Sequence, residues 1–117
     1  MKNFELYEFD SPDEPGSGSN MQKDFLDKLD AAREIANVPF VINSGYRSQA
    51  RNKKVGGVKN SSHTTGWAAD IACSNSRDRY ITVNALMSAG FNRIGIGDTF
   101  IHVDCDPKKS ENVMWTY

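Results

Sequence analysis

The sequence predicts an α+β domain built from two amphipathic helices and several short strands. Three observations lead there. Hydrophobic periodicity switches between helical spacing and short apolar runs along the chain. Glycine and proline punctuate the runs. No apolar run approaches the ~18 residues that would span a bilayer. At 117 residues, with 38% hydrophobic and 25% charged side chains, the chain is the size and composition of one compact domain. A net charge of −1 provides no bulk attraction for nucleic acid or an acidic membrane. Two cysteines, Cys73 and Cys105, are too few for a disulfide scaffold or a four-cysteine zinc site.

Residues 1–20 are acidic and broken by Ser11-Pro12 and Pro15-Gly16, yet Phe4, Leu6, Tyr7 and Phe9 are too apolar for a free tail. An arm packed on the domain is expected. Residues 21–37 follow as a helix, with Asn20 as N-cap and Met21, Phe25, Leu29, Ala32 and Ala36 on one face. Phe40-Val41-Ile42 reads as a strand, and residues 43–62 as a glycine-bearing loop. Trp67 to Cys73 is a second strand. Residues 76–89 form a second helix, with Tyr80, Val83, Leu86 and Met87 inward and Gly90 as its stop. Arg93–Gly97 and Phe100–Cys105 are strands joined by a turn, and Val113–Tyr117 is an edge strand. There is no internal repeat and no domain boundary, so residues 1–117 form one domain with a mostly antiparallel sheet.

The chain holds only two histidines, His63 and His102. His63 lies in a glycine-bearing loop leading into the strand that carries Asp70. His102 lies in an apolar strand and is followed by Asp104. Two imidazoles and a carboxylate are what a catalytic zinc commonly takes, with a fourth position open. The cysteines follow Asp70 and His102 at odd offsets, which points them to the opposite sheet face as buried thiols.

The run Ser61-x-His63-x-x-Gly66-x-Ala68-x-Asp70-Ile71 resembles the signature of the M15-type zinc metallopeptidases, which include D-alanyl-D-alanine carboxypeptidases and phage cell-wall endopeptidases. Ile101-His102-Val103-Asp104 is similar to the family's second metal segment, and Ser44-Gly45-Tyr46-Arg47-Ser48 to its third signature. The small bacterial and phage-associated branch is the nearest in pattern. The resemblance implies a hedgehog-like zinc fold, with a sheet carrying ligands and helices on its other face. It implies one Zn²⁺ on His63, Asp70 and His102, with Arg47 as cationic partner of a substrate carboxylate or oxyanion. Ser61 reads as orienting substrate or ligand or as a structural loop serine, and Tyr46 and Trp67, which flank the loop, as walls of the cleft or as ordinary core packing.

The family places its proton-carrying acid three positions before the last histidine, where this chain has Thr99. Asp98, one residue earlier in a turn, and Asp104, on the same strand face as His102, are the two substitutes. Asp98 reads alternatively as a turn-former, and Asp104 as a partner orienting a ligand. The implied reaction is hydrolysis of a peptide bond in peptidoglycan peptides by a monomer, with no nucleic acid or membrane partner. A non-catalytic zinc or cell-wall-binding module is the alternative. The basic stretch Arg47, Arg51, Lys53, Lys54 and Lys59 reads as a solvated loop attracting anionic peptide rather than nucleic acid. The start MKNFELYEFD lacks a basic-then-apolar leader pattern, so release by a phage lysis system is one route to the cell wall.

Overall fold

The computed structural model describes residues 1–117. Eight regular elements follow one another: α1 (Lys23–Ala36), β1 (Ile42–Ser44), α2 (Gln49–Lys54), β2 (Ala68–Ala72), α3 (Ser76–Ser88), β3 (Arg93–Ile96), β4 (Phe100–Asp104) and β5 (Val113–Thr116). Three single 3₁₀ turns, Leu6–Phe9, Ser17–Asn20 and Ser62–Thr65, complete the framework.

The five strands make one sheet in the order β1-β2-β4-β3-β5. The first three pairings are antiparallel, and β3 with β5 is parallel. The α+β class holds, with a mixed rather than wholly antiparallel sheet. The reason is topological. β3 and β4 form a hairpin, so the chain leaves β4 at the end where β3 began. A strand laid from there along the outer side of β3 must run the same way as β3.

Strand alternation separates two faces. Ala69, Ile71, Ile94, Ile101 and Val103 are buried in the core with Phe25, Leu29 and Leu86 from α1 and α3. Complete burial of side chains such as Phe25 and Leu29 stabilises the fold by roughly 1.5–3 kcal/mol each. The other face carries Asp70, His102 and Asp104, and is overlaid by the segment between β1 and β2. The arm packs Phe4 and Phe9 into the core, their rings edge to face at 5.4 Å.

Several local expectations are corrected. α1 begins at Lys23 with Gln22 as N-cap, because Asn20 closes the preceding 3₁₀ turn. α3 buries Thr82, Ala85 and Leu86, while Tyr80 and Met87 are exposed. Its sheet contact is offset from the stripe of largest apolar residues. Its start is capped by Asn75, whose side chain accepts the Asp78 N–H. Phe40 is buried in the core but lies before β1, which starts at Ile42. The loop at 43–62 contains α2, whose N-cap Ser48 accepts the Arg51 N–H. Cys73 and Cys105 are both free thiols, the first buried and the second half-buried.

Candidate metal centre

His63 reaches the open sheet face from the 3₁₀ turn Ser62–Thr65. Ser61 caps that turn, its hydroxyl accepting the His63 N–H at 3.2 Å. Gly66 ends the turn at φ +80°, and a Cβ there would lie 2.3 Å from the Asn20 carbonyl oxygen. The motif glycine is therefore required twice, by backbone conformation and by close approach of the arm. The next strand, β2, carries Asp70, which pairs directly with His102 on β4. Ala68, buried and opposite Asp104, keeps the space beside them small.

One nitrogen from each imidazole and one Asp70 oxygen lie within 4.8 Å of one another. His63 Nδ1–H donates to the Gly45 carbonyl at 2.8 Å, which leaves Nε2 free and directed at Asp70 Oδ1, 3.3 Å away. His102 Nε2–H donates to Asp104 Oδ2 at 2.8 Å, which leaves Nδ1 directed at the same Asp70 oxygen at 2.9 Å. Both tautomers are thus set by hydrogen bonds on the far side of the ring. Zinc bonds near 2.0–2.2 Å in tetrahedral geometry put neighbouring ligand atoms about 3.4 Å apart. The three donors, two neutral nitrogens and a carboxylate oxygen, fit that ion in type and spacing.

The surrounding charges are arranged around this cluster. Burial works against the Asp70 charge, but the close approach of the His102 and His63 imidazoles holds its carboxyl well below the usual carboxylate range. Asp70 Oδ2 faces the Arg47 guanidinium at 3.5 Å. Arg47 is itself held by Ser44 Oγ and Asn52 Oδ1, each at 3.1 Å, and its backbone N–H donates to the His63 carbonyl. Burial lowers the Arg47 pKa while Asp70 raises it, with a net lowering. Burial also opposes the raising of the His102 pKa by Asp104 and Asp70, and the two carboxylates prevail.

The structure brings His63, Asp70, His102 and Arg47 together and separates the two expected acids from the open side. Asp98 is exposed in the β3–β4 turn. Cys73 N–H pairs with the Thr99 carbonyl, so Asp98 lies beyond the strand position three residues past Asp70, about 10 Å along the strand. Asp104 is 1% exposed and lies behind His102, where it also accepts from Arg93 Nε at 2.6 Å. That position matches its alternative reading, a partner behind a candidate ligand, and keeps it away from the open side. Ser61 is likewise buried and orients His63 rather than substrate. Tyr46 and Trp67, expected on the cleft wall, both pack against the core. Trp67 also borders a separate cavity of about 600 Å³ with Thr64, Thr65 and Lys109.

Sequence reasoning missed Arg93, Asn52 and Trp115. Trp115 stands over Gly95, 5.6 Å from the His102 ring between centroids, with the Arg93 guanidinium 5.2 Å from its own ring. The signal available was Gly95 itself, a glycine inside a strand, which marks a close approach.

A family model described as Peptidase M15 matches residues 5–105. No curated protein matches the chain.

Proposed function

We propose, for a chain that belongs to the M15 peptidase family, zinc-dependent hydrolysis of a peptide bond in peptidoglycan peptides. The observation that carries this reading is the convergence of His63 Nε2, Asp70 Oδ1 and His102 Nδ1, with each ligand oriented from behind. When bound, zinc supplies Lewis acidity toward the scissile carbonyl and an activated water. The chain's own groups do the rest of the positioning. Gly45 and Asp104 fix the imidazoles, and Ser61 fixes the turn that presents His63. Arg47, anchored by Ser44 and Asn52, keeps a cation at the Asp70 side of the centre. There a guanidinium stabilises a substrate carboxylate or the charge that develops on the carbonyl oxygen.

The reading is tested by mass spectrometry of defined cell-wall peptides incubated with zinc-loaded protein, with and without a chelator. Chelator-sensitive loss of a terminal D-Ala establishes a carboxypeptidase, and internal cleavage establishes an endopeptidase. His63→Ala is expected to lose both zinc and activity. A second reading, a non-catalytic zinc or cell-wall-binding module, is favoured by one observation: Thr99 stands where the family's acid belongs, and neither Asp98 nor Asp104 replaces it at the open side. A folded, zinc-containing protein that binds these peptides without cleaving them selects that reading.

A further inference from the structure

Arg47 supplies a hydrogen-bond donor on the β1 side of the centre. The opposite side is formed by β5 and the residue that follows it. The register places Gly95 beside His102 and Trp115 beside Gly95. Tyr117, two residues after Trp115, therefore shares the same sheet face. Gly95 leaves that face bare. A Cβ there would come within 2.6 Å of Trp115 Nε1 and 2.9 Å of Tyr117 Cε2. Both rings consequently lean across β3 toward β4. Trp115 reaches His102, and the Tyr117 ring reaches Phe100, two residues before His102, at 5.0 Å between centroids.

We propose that Tyr117 is a catalytic residue whose phenol O–H donates a hydrogen bond to the carbonyl oxygen of the scissile peptide as that oxygen gains negative charge, from the side opposite Arg47. The proposal rests on the hydrolytic reading above. No covalent bond forms or breaks at Tyr117, and the proton stays on the phenol oxygen throughout.

Three observations support the assignment beyond the ring contacts. Tyr117 is 70% exposed, so an incoming substrate meets it. Burial of part of the ring and the charges of Asp70 and Asp104 raise the phenol pKa, against Trp115 and Arg47, which lower it. The phenol therefore remains protonated at neutral pH, as a donor must. Finally, Asp98 is turned out and Asp104 is engaged behind His102, so neither acid competes for this position. Two donors on opposite sides of a developing oxyanion are worth more than one because both are fixed before charge appears.

Tyr117→Phe keeps the ring and its packing while removing only the donor. Wild type and Y117F are compared for peptide cleavage, zinc content, and binding of a phosphinic peptide whose tetrahedral anion mimics the charged oxygen. The expected result is a fall in kcat of about 10²-fold with KM and zinc content little changed, and phosphinate binding weaker by about 10-fold or more. Equal kcat and equal phosphinate binding in the two proteins overturn the proposal. If the wild type cleaves no peptide, the hydrolytic reading fails on that result. The phosphinate titration still decides Tyr117: binding that depends on the phenol supports the donor, and equal or absent binding overturns it.

Discussion

Asp104 shows how much one buried carboxylate does at this centre. It accepts from His102 on one oxygen and from Arg93 on the other, and Arg93 also donates to the Ser110 carbonyl and stacks near Trp115. Burial penalises the Asp104 charge, yet hydrogen bonds from His102 and Arg93 keep its carboxyl below the usual range. The consequence is a fixed His102 tautomer with Nδ1 toward the metal position. Asp104→Ala would leave Arg93 largely buried without its partner and cost about 3–5 kcal/mol of fold stability. Asp104→Asn is the sharper change, because it preserves shape and one acceptor. Its zinc affinity is expected to fall about 10–100-fold, read by competition with a chromophoric chelator. An Asn variant with unchanged affinity would show that His102 needs no orienting carboxylate.

At the scale of elements, the helices and core strands were legible because their patterns are local. Phe25, Leu29 and Ala32 recur at helical spacing, and Ile101, His102 and Val103 alternate between faces. α2 was not legible. It has no apolar stripe, and it is held by its Ser48 cap and by the arm, whose Asp13 accepts from Ser48 Oγ at 2.7 Å. The candidate ligands were legible, His63 and Asp70 through one compact motif and His102 through a second, whereas Arg93, Trp115 and Tyr117 were not. Arg93 reaches Asp104 from β3, and the approach of Trp115 to His102 and of Tyr117 to Phe100 depends on the parallel pairing of β5 with β3, a contact no local pattern announces. The arm yields its own prediction. Asp30 on α1 accepts the backbone N–H groups of Lys2 and Asn3 at 3.1 and 2.8 Å. Burial raises its pKa, but those two donors, together with the N-terminal ammonium and the Asn3 side chain, make the net shift downward. A lowered carboxyl pKa contributes stability that is complete above the unfolded value and lost as pH falls through the folded one. Limited proteolysis is therefore expected to cut the first residues of the arm faster as pH falls below about 4, and in Asp30→Asn already at neutral pH. Equal resistance of both proteins at pH 7 would mean that Phe4 and Phe9 hold the arm alone.

Across the whole molecule, the centre joins two bodies of unequal firmness. Asp70 and His102 are neighbours on β2 and β4, whose far face is backed by α1 and α3 through the core. His63 belongs instead to the segment from β1 to β2, which carries one six-residue helix and contributes few side chains to that core. Without an ion, this segment is tied to the sheet by the Arg47–Asp70 and His63–Asp70 contacts, to the arm by Tyr46 N–H on the Phe9 carbonyl and Ser48 Oγ on Asp13, and to the start of α1 by Gln22 N–H on the Gly66 carbonyl. A metal bridging all three ligands adds a link between the segment and the sheet, and little within the sheet. Zinc is therefore expected to raise the melting temperature by mass action, by about 4 kcal/mol of stability at a thousandfold excess over Kd. Its effect on local opening should be uneven. Chelation should accelerate amide exchange across residues 45–66 while Ile71, Ile101 and Val103 keep the protection of the global transition. Exchange that rises equally in both regions would show that the ion supports the sheet itself, and that the β1–β2 segment is not the part it fastens.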